Sequence, residues 1–342
     1  MSPRLDNLVL PRPKAPIPGP AEAIFTKVFG RLLPPAKYLN TVNGRAAYYE
    51  VLPSHHSAPG DLDELHSFSS LSLAPGDSSH TPDRVLFIHG VQTPALGMLP
   101  LARALHAKFP GAHLVLVDLW GHGLSDTPVL PHDPNLFHQL LDALLDRLEW
   151  PSAHLVGYSF GGALTVGYVV SRSKRVQSFT LVAPAGLIRS SKFTAEEQGH
   201  LRGDDEAAAR EWVLEFLEGG DLVVPADWRE RVGRGEIVAE AVRDWQMREH
   251  SGHAATVVAV FRDGGVMDKD AEFVRAARTG IPSLVVLGAK DDLCSEEELK
   301  ELGFANVAVV PEVGHGVVRE RAPQVAAFIS DFWMGLNKSN SG

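Results

Sequence analysis

The stretch HLVGYSFGGALTVGYVV, His154 to Val170, decides how this chain is read. Apolar residues run up to a glycine, one serine stands alone, and a small-residue stretch follows. Gly157-Tyr158-Ser159-Phe160-Gly161 therefore reads as a buried strand turning sharply into a helix. The two glycines let strand and helix pass close together, and the turn lifts the Ser159 hydroxyl clear of the sheet. The competing reading is a packed core segment with an incidental serine. The strand texture before the turn and the helix texture after it favour the elbow.

Working outward, the same texture repeats. RVLFIHG (84–90), HLVLVDLWGHG (113–123), VQSFTLVAPAG (176–186), IPSLVVLGAKDD (281–292) and NVAVVPEVGHG (306–316) are continuous apolar runs ending in small or polar residues. Such runs mark strands buried on both faces. Helical patterns lie between them, at 95–109, 136–150 and 160–172, with a last one at 323–336. Alternating strands and helices predict an α/β fold with a mostly parallel, doubly wound sheet. Ahead of these, the apolar runs on either side of Asn43-Gly44 predict an N-terminal hairpin over 38–52. Residues 24–33 predict a short helix ending at Pro34-Pro35. Residues 188–278 are charged and helical in pattern, too long for an ordinary connection, and predict an inserted helical cap.

The expected organisation is then a Pro-rich arm over 1–37, a core over 38–187 and 279–335, the cap over 188–278, and a disordered tail over 336–342. A Ser-, His-, Pro- and Gly-rich flexible insertion is expected at 53–83, within the core. Its histidines, His55, His56, His66 and His80, have spacings that match no zinc pattern.

A serine hydroxyl needs a base, and the base needs an orienting group. In an elbow-type site these follow in the order serine, acid, histidine. His315 lies in a Gly-flanked loop directly after a strand, whereas His200, His250 and His253 fall in the inserted segment. His315 is the expected base. Asp291 and Asp292 follow the strand at 284–287, and the loop VAPAG after the preceding strand holds no carboxylate. Asp291 is the expected acid, with Asp292 as a helix N-cap or a solvated loop charge. The expected oxyanion donors are the backbone N–H groups of Phe160 and Val91. His89 is expected to be a structural hydrogen-bonding residue. Gln92 is placed to reach the site, and Trp212 and Trp245 are candidates for lining a substrate pocket.

These residues resemble the α/β-hydrolase superfamily, and more narrowly its serine hydrolases and esterases with a helical cap. The resemblance covers about 38–335 and rests on His89-Gly90, DLWGHGLSD (Asp118–Asp126), Gly157–Gly161, Gly288-x-x-Asp291 and Gly314-His315. It implies structural roles for Asp118, His122 and Ser125. The loop Val91-Gln92-Thr93-Pro94 departs from the further glycines or serine that often follow His-Gly. Serine at the elbow argues against the epoxide hydrolases and haloalkane dehalogenases, which need an aspartate there. The resemblance implies hydrolysis of a carboxylic ester or lactone, and the tryptophans of the cap point to a small to medium apolar substrate. The alternatives are a C–C hydrolase acting on a vinylogous diketone, or a small-molecule receptor that retains the triad.

Composition bounds the rest. The chain has 342 residues, 22% of them charged, with a formal net charge of −10. The charge and the lack of a basic block argue against nucleic-acid binding. The single cysteine, Cys294, suggests no oxidising compartment. The Pro-broken start lacks a signal-peptide core, and no run suits a membrane span. A cytoplasmic protein with no membrane association, metal or organic cofactor is expected.

Overall fold

The computed structural model describes residues 16–54, 82–202, 205–219 and 222–339. Eight strands form one sheet: β1 Lys37–Thr41, β2 Gly44–Val51, β3 Arg84–Ile88, β4 His113–Val117, β5 Ala153–Tyr158, β6 Val176–Val182, β7 Ser283–Gly288 and β8 Val307–Val310. Their order across the sheet is β1-β2-β4-β3-β5-β6-β7-β8. The hairpin β1–β2 and the β2–β4 pair are antiparallel, and every later pair is parallel. The middle strands are apolar along their length because helices cover both faces. Val85, Leu86, Phe87 and Ile88 of β3 are all buried. The hairpin turn uses Val42 and Asn43, one position earlier than the Asn-Gly pair suggests. Gly44 instead opens β2 with φ 137°.

The helices, in chain order, are α1 Glu22–Phe29, α2 Ala95–Lys108, α3 Pro134–Arg147, α4 Phe160–Ser171, α5 Ala195–Arg202, α6 Glu206–Glu218, α7 Trp228–Gly233, α8 Ala239–Glu249, α9 His253–Asp263, α10 Asp270–Ala277, α11 Glu296–Glu301, α12 Val317–Glu320 and α13 Ala322–Ser339. Between β6 and β7 the α-helices are α5 to α10. None of the described helices is long and apolar enough to cross a membrane.

The expectation at the C-terminal end needs correction, and the N-terminal arm packs on the core where it is described. The arm is anchored from residue 16 onward: Ile17 pairs with Thr127, and the Gly19 N–H donates to Asp126 Oδ1 at 2.9 Å. Phe25 and Phe29 of α1 are buried. The arm before residue 16 and most of the 53–83 insertion, with its four histidines, lie outside the described residues. At the other end, α13 continues through Gly335 to Ser339, where a tail from 336 was expected. Leu336 packs on the apolar cluster beneath this helix, so burial carries the helix past its glycine.

Candidate active site

The C-terminal edge of the parallel strands gathers the site, as in other open α/β sheets. Ser159 follows β5 with φ 53° and ψ −118°, a conformation costing about 1–3 kcal/mol for a non-glycine residue. Its backbone is held from several sides. Ser159 N–H donates to Val182 O at 3.1 Å, and Ser159 O accepts from Gly162 N at 2.8 Å and Ala185 N at 2.9 Å. The glycines are required by close approach. A Cβ on Gly157 would collide with the Gly161 carbonyl, and one on Gly161 with the Ile88 carbonyl.

His315 and Asp291 arrive on two loops that are tied together. Ala289 N–H donates to Val310 O and Lys290 N–H to Val313 O, both at 2.9 Å. The result is a hydrogen-bond chain of three side chains. His315 Nδ1–H donates to Asp291 Oδ2 at 3.0 Å, and Ser159 Oγ–H donates to His315 Nε2 at 2.9 Å. The Asp291 side chain is fully buried, and its Oδ1 accepts from Leu293 N at 3.1 Å. The carboxylate therefore holds the imidazole in the tautomer that leaves Nε2 free to accept a proton. Tyr158 braces the same loop, its hydroxyl donating to His315 O at 3.1 Å.

Ser159 and His315 open onto a cavity of about 250 Å³. Val91, Phe160, Ile188, Phe216 and Phe261 supply much of its apolar wall, with Gln92, Arg243 and Asp292 among its polar lining. Val91 and Phe160 are the expected oxyanion donors, and among the described residues neither N–H has an intramolecular acceptor. His89 Nδ1–H donates to Gly90 O at 2.6 Å, and its Nε2 accepts from Leu119 N at 2.9 Å. In a trans peptide the N–H points opposite the carbonyl. By pinning Gly90 O, His89 fixes the direction of the Val91 N–H.

Not every expected residue reaches the cavity. Asp292 is an exposed loop residue at the cavity, and the N-cap of α11 is Ser295, whose Oγ accepts from Glu298 N at 3.1 Å. Trp212 and Trp245 are not among the lining residues and are corrected to packing positions. Trp212 stacks behind Phe216, ring centroids 5.7 Å apart, so Phe216 takes the wall position. Trp245 is fully buried against Phe25 and Phe29 of α1, at 5.3 and 5.9 Å. The residues that the sequence reading missed are Phe216, Phe261 and Arg243 of the wall, and Gln246, described below.

Beneath the site lies a buried polar layer. Asp118 accepts from Ala95 N, Leu124 N and Tyr49 Oη, and burial pushes its carboxyl up to about 6. Ser125 Oγ donates to Asp118 O at 2.7 Å and accepts from Ala47 N at 2.9 Å. His122 donates from Nδ1 to Trp120 O and accepts the Gln92 N–H at Nε2. Burial holds His122 well below the usual histidine range, His89 down to about 4 and His253 down to about 3. These rings are neutral hydrogen-bonding pieces at neutral pH.

A family model described as "alpha/beta hydrolase fold" matches residues 83–321. The chain belongs to the α/β-hydrolase family. Its similarity to individual members is more distant. It is 29% identical over 214 residues to the dihydrolipoyllysine-residue acetyltransferase component of an acetoin cleaving system from Pseudomonas putida. That match takes in 62% of this chain and 54% of the relative, so the chain spans about half that protein's length. It is 25% identical over 285 residues to Lipase 3 from Moraxella sp., with 79% and 85% covered. Among solved structures, the enol-lactonase from Burkholderia xenovorans LB400 superposes with a TM-score of 0.61 at 18% identity, covering 86% of this chain and 99% of that one. At that identity the likeness is one of fold.

Proposed function

We propose that the protein is a serine hydrolase that cleaves a carboxylic ester or lactone of a small to medium apolar substrate through an acyl-enzyme. The observation that carries this reading is the Ser159–His315–Asp291 hydrogen-bond chain, with its strained serine at an apolar cavity. Ser159 Oγ attacks the carbonyl carbon while its proton passes to His315 Nε2. Asp291 stabilises the imidazolium and keeps the ring in place. The oxygen of the tetrahedral intermediate takes its negative charge between the N–H groups of Val91 and Phe160. Collapse expels the alkoxide, which takes the proton from His315. Water, deprotonated by His315, then releases the acyl group and restores Ser159. The helices between β6 and β7 act as a cap, with Phe216 and Phe261 presented to the acyl or alcohol part of the substrate.

The test is labelling with a fluorophosphonate probe, read by intact mass, on wild type and Ser159→Ala. A single adduct that disappears in the variant supports an activated Ser159. A panel of p-nitrophenyl esters, lactones and ring-fission dienones then assigns the bond. Absence of any adduct on folded wild type sinks the reading, and cleavage of dienones alone replaces it with C–C hydrolysis.

A further inference from the structure

We infer that Gln246, on the cap helix α8, is a positioning residue for the oxyanion donor of Val91. The inference rests on the hydrolase reading above and deepens it. Gln246 is fully buried, and its side-chain amide is spent on two backbone groups. Nε2–H donates to Gln92 O at 2.6 Å, and Oε1 accepts the Gly123 N–H at 2.8 Å. One partner is only an acceptor and the other only a donor, so the amide has a single orientation that satisfies both.

Gln92 is the neighbour of Val91, and it needs such a clamp. Its φ is 64°, a left-handed conformation for a residue with a Cβ. Left alone, the loop would relax toward negative φ and rotate the adjoining peptide planes. Three successive planes are held instead. His89 holds the Gly90 carbonyl, His122 accepts the Gln92 N–H at 3.3 Å, and Gln246 takes the Gln92 carbonyl. The first two clamps come from the core. The third comes from the inserted segment, 154 residues away in sequence. Cap seating therefore completes the clamping of the loop that carries the Val91 N–H, beside the His89 clamp on the Gly90 carbonyl.

The experiment compares wild type, Gln246→Met and Gln246→Glu for kcat and KM on the best p-nitrophenyl ester, and for inhibition by an alkyl trifluoromethyl ketone. Ser159 Oγ adds to the ketone carbon, its proton passes to His315, and the former carbonyl oxygen becomes an oxyanion. The ketone therefore reports on the donors directly. Removing one oxyanion donor outright costs about 10²–10³ in kcat, so its misplacement in Gln246→Met is expected to cost roughly 10–100-fold. The ketone Ki is expected to rise by the same factor, with KM within about twofold. Gln246→Glu retains the acceptor for Gly123 but donates to Gln92 O only when its carboxyl is protonated. Its ketone affinity, relative to wild type at the same pH, is expected to recover as the pH falls.

A Gln246→Met enzyme with unchanged kcat and Ki, or one altered in KM alone, overturns the inference while leaving the hydrolase reading intact. If Gln246→Met fails to fold, a Gln246→Glu enzyme with no pH-dependent recovery overturns it equally. If wild type neither turns over an ester nor takes a fluorophosphonate on Ser159, the hydrolase reading falls and the inference with it.

Discussion

Lowering the pH from 7.5 to 5.0 is expected to destabilise the fold by several kcal/mol, through buried histidines outside the Ser159–His315–Asp291 chain. His89, His132 and His253 are wholly enclosed, and burial pushes them down to about 4, about 4 and about 3. In the unfolded chain each titrates near its ordinary value of about 6.5. Above 6.5 both states hold these rings neutral, and the native state suffers no loss. Between 6.5 and about 4 the unfolded chain takes up protons that the native rings refuse. Stability falls with pH across that window. At pH 5 the difference is about 2 kcal/mol for each ring. Asp118, raised to about 6, acts in the opposite sense: the native carboxyl binds its proton first and returns about 1 kcal/mol. These four groups alone give a loss of about 5 kcal/mol, comparable to the whole stability of many domains, and His138 and His154, also held down to about 4 by burial, act in the same direction. Urea titrations at pH 7.5, 6.5, 5.5 and 5.0 measure it. With a slope of roughly 3 kcal/mol per molar for a chain of this size, the midpoint is expected to drop by at least about 1.5 M. A midpoint that stays within about 0.3 M, or rises toward pH 5, would refute the assignment of these histidines as buried and neutral.

Three substitutions probe the acid of the hydrogen-bond chain and the buried polar layer. Asp291→Asn removes the acceptor that fixes the His315 tautomer, and kcat on an ester is expected to drop by about 10⁴, whereas Asp292→Asn stays within about tenfold of wild type; equal effects would mean the acid is misassigned. Ser125→Ala strips the buried Ala47 N–H of its acceptor and is expected to cost about 1–3 kcal/mol by urea denaturation, with kcat unchanged where the protein is folded.

The parallel strands and the elbow were legible because their signals are local. A run such as VLFI has no soluble alternative to burial, and Gly157-Tyr158-Ser159-Phe160-Gly161 has few geometries available to it. Ser159, Asp291 and His315 each follow a strand in the order that brings them to one sheet edge. What was not legible depends on partners far along the chain. Trp245 sits on an amphipathic helix, and nothing local says whether its stripe faces a cavity or the rings of Phe25 and Phe29. A signal for Gln246 was present: Ala241, Val242 and Trp245 define a buried stripe, and Gln246 falls on it as an unexpected polar residue. A buried amide on an apolar stripe needs two partners, and those partners, Gln92 O and Gly123 N, come from loops that only the folded sheet brings together.

The packing of α1 against Trp245 bears on where this molecule can be divided. The matched family segment begins at residue 83, after α1, β1 and β2. Yet Phe25 and Phe29 cover the indole of the helix that also carries Gln246. β2 also pairs with β4 over Tyr48 to Val51. An excised 83–321 fragment would bare the apolar edge of β4 and uncover the face of Trp245 that Phe25 and Phe29 cover, both liabilities toward aggregation. The boundary drawn by kinship and the boundary of cooperative folding are different lines here. Amide exchange is expected to place α8 and the hairpin in one protection class, opening together or not at all.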